Sequence, residues 1–249
     1  MKPVTGFSIR AENITKNFKA VRALDNVSMT FEAGGMHGLI GPEGAGKTTL
    51  LRILVGLLFP QTGKVTYFKD GDEMDFMSLR EGVAYMPQTQ SLYADLSIDE
   101  HLRFFQDLYQ IPRDLYLKKR EELMGITRLA PFANRPAGKL SGGMYKKLGL
   151  MCALLRSPQI MLLDEPTNGV DPISRREFWD LLYRLRDQNI LIIVTTAYMD
   201  EAERCSFVHL LESGKVLAQG DPRAILAEEK VSSFDELFLK QDRKGAARA

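Results

Sequence analysis

The chain of 249 residues carries 33 Lys and Arg against 32 Asp and Glu, a formal net charge of +1, with 45% hydrophobic and 26% charged residues. That balance belongs to a globular protein with a sizeable core, and it excludes a disordered chain, a fibrous repeat and a disulfide-stapled mini-protein. No global field draws the molecule onto nucleic acid or anionic lipid. The two cysteines, Cys152 and Cys205, stand outside any ligand spacing and suit a reducing compartment.

The N-terminal Met-Lys-Pro-Val-Thr-Gly lacks the apolar core of a signal peptide, and the apolar stretches at 53–59 and 190–194 are far too short to span a bilayer. Runs at 7–14 and 27–31, and the apolar 36–40 running into Gly41, read as strands. After a glycine-studded turn, the spacing of Leu50, Leu51, Ile53, Leu54 and Leu57 predicts a helix over 48–58. Ser97-Ile-Asp-Glu100 is a capping box before Leu102 and Phe105, a charged helix is expected over 114–123, and the whole of 89–157 reads as mainly helical.

Beyond Pro158, the compact apolar runs 159–163 and 189–195 have the pattern of parallel strands covered on both faces. Between them Asp171-Pro172 opens a helix whose Phe178, Leu181, Leu182 and Leu185 form one stripe. The polar tail 240–249 reads as a frayed end. The order is that of an α/β strand–helix–strand core interrupted by a helical insertion.

Gly41-Pro-Glu-Gly-Ala-Gly-Lys47-Thr48 matches G-x-x-x-x-G-K-[ST] with a strand before it and a helix after it. Backbone N–H groups of Gly44, Ala45 and Gly46 can approach phosphate oxygens, Lys47 can neutralise the outer phosphates, and the Thr48 hydroxyl can ligate Mg²⁺. Ile160-Met-Leu-Leu-Asp164-Glu165 delivers two carboxylates at the end of a buried strand, where α/β ligand sites form. Asp164 suits a hold on Mg²⁺ and Glu165 suits orienting or deprotonating a water, although acidic residues after a strand also serve as helix caps. Leu140-Ser141-Gly142-Gly143-Met144 opens a further helix with Ser141 as its N-cap, and two glycines there expose N–H groups at a positive helix end.

Together with Tyr85-Met-Pro-Gln88, Leu163-Asp-Glu-Pro166, Asp171-Pro and Thr195-Thr-Ala-Tyr-Met-Asp-Glu, these motifs resemble the nucleotide-binding subunits of ABC transporters over roughly 7–228. Leu92-Tyr-Ala-Asp-Leu-Ser and Tyr198-Met-Asp-Glu-Ala-Glu203 resemble the type-2 exporters, in particular the first ATPase half of bacterial tandem drug-exporter ATPases. The resemblance implies one ABC ATPase domain over 1–249: a P-loop NTPase core at 1–88 and 158–228 with an antiparallel β subdomain, an inserted helical subdomain at 89–157, and a C-terminal helix and tail at 229–249. It implies ATP and Mg²⁺ as cofactors, with Thr48, Gln88 and Asp164 toward the metal and Thr49 beside Thr48 in the phosphate cradle. Gln88 and Glu165 would be catalytic, Phe18 would stack on adenine, and Ser141, Gly142 and Gly143 would face the ATP of a partner subunit. Asp171 would lie at the dimer seam. Helix capping accounts equally for Asp171 and Ser141, and a core role accounts nearly as well for Phe18.

Two positions depart from the family pattern. Ala197 stands where a histidine usually contacts the terminal phosphate, and alanine has neither donor nor charge. Glu43 stands at the third loop position, usually neutral; a carboxylate about 6 Å from another negative charge is opposed by ~3 kcal/mol at an effective dielectric of about 20, unless it turns to solvent. The implied function is an ATP-hydrolysing subunit of an exporter with a degenerate site of its own, peripheral on the cytoplasmic face of the membrane, working with transmembrane permease subunits and no nucleic acid. A second ATPase subunit is the favoured partner and self-pairing stays open. The rival readings are a regulatory subunit that binds ATP without turnover and a soluble ABC ATPase of translation or nucleic-acid maintenance.

Overall fold

The computed structural model describes residues 6–89 and 92–246, with side chains described as far as residue 240. Residues 1–5 of the N-terminal stretch read as lacking a signal peptide's apolar core, and the last three residues of the polar tail, lie outside the described residues. The chain forms two compact units, the first comprising Met1–Asp75 with Ile193–Ala249 and the second Phe76–Ile192.

In chain order the first unit holds β1 (Phe7–Phe18), β2 (Val21–Phe31), β3 (Met36–Ile40), α1 (Lys47–Leu54), β4 (Thr62–Lys69) and β5 (Asp72–Met74). The second holds α2 (Phe76–Leu79), β6 (Val83–Met86), α3 (Ile98–Leu108), α4 (Arg113–Thr127), α5 (Gly142–Leu154), β7 (Ile160–Asp164) and α6 (Pro172–Arg186). β8 (Leu191–Thr196) carries the chain back, and β9 (Phe207–Glu212), β10 (Lys215–Gly220), α7 (Pro222–Glu229) and α8 (Phe234–Ala246) complete the first unit.

The first unit contains an antiparallel sheet in the order β2-β1-β4-β5. β1 is longer than the expected 7–14 because bulges let it continue: its register against β2 shifts after Ala11, Ile14 and Lys16, and Asn13 takes a left-handed φ of 53°. The sequence pattern at 62–69 alternates Val65 and Tyr67, and the Tyr67 hydroxyl is buried where it donates to the Leu54 carbonyl at 3.0 Å. The apolar β3 is buried along its whole length and pairs in parallel with β9, which turns into β10 through Ser213-Gly214, both at positive φ as a tight hairpin requires.

The helix expected over 48–58 ends at Leu54. Gly56, at φ 71°, donates to the Ile53 carbonyl and Leu57 to the Arg52 carbonyl, a Schellman closure that overrides the apolar pattern beyond it. Leu57 is left 64% exposed. The polar tail is more ordered than expected, since α8 runs to Ala246 behind a cap in which Ser233 Oγ accepts the Glu236 N–H at 3.2 Å.

In the second unit β6 and β7 run parallel, pairing Val83 with Ile160 through to Met86 with Leu163, so both strands end at the same level. α3 begins at the expected Ser97–Glu100 capping box. α4 is longer than the expected 114–123 and stops where Arg128 enters the left-handed region. Arg120 ties α4 to α3 through two bonds to Asp99, at 2.6 and 2.9 Å. Among the described residues no helix is long and apolar enough to cross a membrane.

Candidate active site

In the first unit β3 delivers the chain into the loop 41–48, and each glycine there has its own steric reason. A Cβ on Gly41 would strike the Leu211 carbonyl, and one on Gly46, at φ 102°, would strike the Ala23 carbonyl. Gly44, at φ 76°, has nothing within 4 Å on that side, so its backbone faces open space. The Gly41 N–H is fixed by the Thr196 carbonyl at 3.3 Å. α1 begins without a side-chain cap and without an acidic residue in its first turn, which leaves Thr48 and Thr49, both half-buried, at a positive helix end. Lys47 is 4% exposed, and its Nζ donates to the carbonyls of Gly41 at 2.8 Å and Pro42 at 3.0 Å, folded over the loop it follows. Ala45 is buried and Glu43 lies on the exposed crest.

Phe18, at the end of β1, is 47% exposed with the Lys16 ammonium 5.6 Å from its ring centre. Ala197 is half-buried and directly follows β8, where Thr196 Oγ accepts the Tyr198 N–H at 3.0 Å.

In the second unit Asp164 ends β7 fully buried, with the Tyr85 hydroxyl 3.4 Å from its Oδ2. Glu165 follows at φ 44°, a left-handed conformation that a non-glycine residue adopts at a cost of about 1–3 kcal/mol and that clusters at functional sites. Its Oε2 accepts from the amides of Gln88 at 2.7 Å and Asn168 at 3.1 Å. The expected catalytic pair, Gln88 and Glu165, is thus in direct contact. Ser141 caps α5 by accepting the Met144 N–H at 3.3 Å, with Gly142 exposed and Gly143 buried against Ser174, where a Cβ would overlap the serine side chain. Asp171 caps α6: the Ser174 N–H at 3.0 Å and the Ile173 N–H at 3.1 Å hold its carboxyl below the usual carboxylate range.

Three participants were not visible in the sequence pattern. Tyr85 and Asn168 reach the two carboxylates, and Lys146 on α5 donates to the Gln88 carbonyl at 3.0 Å. Asn168 could have been found from its position three residues after Glu165 in a turn; Tyr85 and Lys146 meet their partners through the tertiary fold alone. Each set fits a ligand chemistry by residue type: in the first unit an open glycine cradle with a lysine suits phosphate oxygens, and in the second buried carboxylates with an amide donor suit a divalent cation.

The family description "ABC transporter" matches residues 24–168. The chain belongs to the ABC transporter family. It is 45% identical over 86% of its length to the probable multidrug ABC transporter ATP-binding protein YbhF of Escherichia coli, of which it spans 37%. It is 34% identical to the Nod factor export ATP-binding protein I of Burkholderia lata, over 95% of this chain and 77% of that one. The described architecture is that of an ABC ATPase. A solved ATP-binding subunit of an ABC transporter superposes at a TM-score of 0.80 with 27% identity, covering 93% of this chain and 98% of the other. The structure of cbiO1 from Clostridium perfringens, part of the ABC transporter complex cbiONQ, superposes at 0.79 with 26% identity, over 96% and 98% of the two chains.

Proposed function

We propose that this ABC chain binds Mg·ATP on the loop 41–48 and hydrolyses it slowly to drive an exporter whose membrane-spanning subunits are separate proteins. The observation that carries the reading is the state of Lys47: a nearly buried cation held on the carbonyls of its own loop, beside a glycine cradle open to solvent. A terminal phosphate oxygen is a stronger acceptor for an ammonium than either of these neutral carbonyls. Backbone N–H groups at the uncapped start of α1 offset the remaining negative charge.

When bound, Mg²⁺ neutralises charge on the transferring phosphoryl group; Thr48, Asp164 and Gln88 are the residues we assign to it. Glu165 accepts the proton of the attacking water, and the left-handed turn after β7 fixes where its carboxylate points. Gln88 holds the same carboxylate by its amide, so water access to the base and the position of the loop after β6 change together.

Pairing with a second, more regular ATPase subunit completes the proposal. Ser141 and Gly143 sit at the positive end of α5 and are assigned to the partner's nucleotide. Ala197 offers no phosphate contact in this chain's own site, and Glu43 and Asp171 both carry exposed carboxylates, a combination a self-pair would duplicate. The names of the relatives, a probable multidrug transporter protein and a Nod factor export protein, support outward transport as the direction.

Release of inorganic phosphate from Mg·ATP tests the enzymatic part. The wild-type chain is expected to turn over below about 1 s⁻¹, at the slow edge of ordinary enzymes, and Lys47→Ala to lose that activity. Equal rates in both proteins would overturn the reading.

A further inference from the structure

The two lysines at 146 and 147 follow one another on α5 and diverge. Lys147, 7% exposed, turns into the second unit, where its Nζ pairs with Glu177 of α6 at 2.5 Å and lies 3.5 Å from the Thr127 carbonyl. Lys146 turns the other way and donates to the backbone carbonyl of Gln88 at 3.0 Å, in the loop that leaves β6. The side chain of that same glutamine donates to Glu165. A continuous line of contacts therefore runs from Ser141, which caps α5, along the first turns of that helix to Lys146, then through Gln88 to Glu165.

We propose that Lys146 is a positioning residue, which makes the placement of Gln88 and the freedom of Glu165 depend on the position of α5. The inference rests on the reading of Gln88 and Glu165 as groups of the hydrolytic site and of Ser141 as the group that meets the partner's nucleotide. It adds a physical link, inside one chain, between the residues serving one nucleotide and those serving the other.

Helix α5 is stiff and anchored: Gly143, Leu148, Leu150, Met151 and Leu154 are buried along it, and Lys147 pins it to α6. A displacement at its capped end is therefore passed to Lys146 rather than absorbed by bending. At the loop it grips, exposed Gln88 is held from two sides, at its backbone by the lysine and at its side chain by the carboxylate. Lys146 is half-buried, and burial pushes its ammonium down while the carboxylates of Glu165 and Asp164 oppose that change. Losing the lysine removes both the hydrogen bond that holds the Gln88 backbone and the nearby positive charge facing those carboxylates.

The test uses the full chain with Lys146→Ala and Lys146→Arg. Single-turnover hydrolysis of labelled ATP, equilibrium ATP binding, and amide exchange in peptides covering residues 86–89 of the nucleotide-free protein are measured in parallel. Lys146→Ala is expected to speed exchange there at least fivefold and to slow the hydrolytic step about tenfold, with ATP affinity within twofold of wild type. Lys146→Arg, which keeps a charged donor, is expected to recover at least half of both effects. Unchanged exchange and rate in Lys146→Ala would overturn the assignment. So would an arginine variant as impaired as the alanine one, since that would mean packing rather than a donated hydrogen bond. Loss of ATP binding in the wild-type chain would instead sink the functional reading on which the inference stands, while the exchange measurement would still report whether Lys146 holds the loop.

Discussion

The side-chain amide of Gln88 and the carboxylate of Glu165 are joined by a hydrogen bond of 2.7 Å, and Asn168 donates to the same carboxylate oxygen at 3.1 Å. Two amide donors on one oxygen fix the direction in which the carboxylate points. The orientation of this carboxylate is thus set just past the end of a buried strand, before any substrate arrives.

Glu165→Gln is expected to lower the hydrolytic rate by about 10²–10⁴, the range that a general base contributes, with ATP affinity within threefold of wild type. Rapid-quench hydrolysis and equilibrium binding on one preparation separate the two quantities. A variant that keeps its rate would remove Glu165 from the reaction.

Ala197→His supplies the donor that this position lacks, and it is expected to raise the turnover rate severalfold while affinity changes little. Steady-state phosphate release on matched preparations measures it. A rate at or below wild type would mean that something other than the missing contact limits the site.

A buried histidine pair gives the fold a defined response to acid. His209 Nδ1 lies 3.2 Å from Gln219 Oε1, its Nε2 lies 3.4 Å from His37 Nδ1, and His37 Nε2 lies 3.0 Å from the Glu32 N–H, so neutral rings satisfy the chain of contacts. Burial lowers both, taking His209 to about 3 with His37 as the second cause. The unfolded chain binds the His209 proton near pH 6.5 and the folded chain only near pH 3, so the stability present above pH 6.5 is lost as pH falls toward 3, and His37 acts in the same direction. At pH 5 the loss from His209 alone is about 2 kcal/mol. Urea midpoints of wild type and His209→Gln at pH 7.5 and 5.0 check it: the wild type is expected to lose more stability on acidification than the variant. An equal loss would contradict the neutral-pair account.

Much of the site was readable because its chemistry is local. The loop 41–48 needs glycine where a carbonyl stands in the path of any Cβ, and the cap residues Ser97, Ser141 and Asp171 act within three positions of themselves. The errors arose where a nonlocal partner decided the outcome. β1 outruns its apolar pattern because bulges keep it paired with β2 as far as Phe18, opposite Val21. α1 stops short of Leu57 although the spacing continues, and here the signal was present in Gly56 but the stripe of leucines outweighed it. Lys146 carries no local signal in the sequence, because its partner, the loop after β6, is distant in the chain, as is the Glu177 partner of Lys147.

Gly143 lies so close to Ser174 that a methyl group cannot be added without movement. Gly143→Ala is expected to destabilise the chain by about 1–3 kcal/mol through overpacking, with Ser174→Gly relieving part of that loss in the double variant. Thermal or urea unfolding of the four proteins in the cycle reads the coupling, and strictly additive effects would remove the contact from the explanation.

The most direct measurement of the central claim is equilibrium binding of labelled Mg·ATP to the full wild-type chain and to Lys47→Ala, with unfolding curves showing that both are folded. The wild type is expected to bind saturably, and the variant to lose binding over the same concentration range. Saturable binding of equal affinity in the two proteins would contradict the assignment of the loop 41–48 to the phosphates.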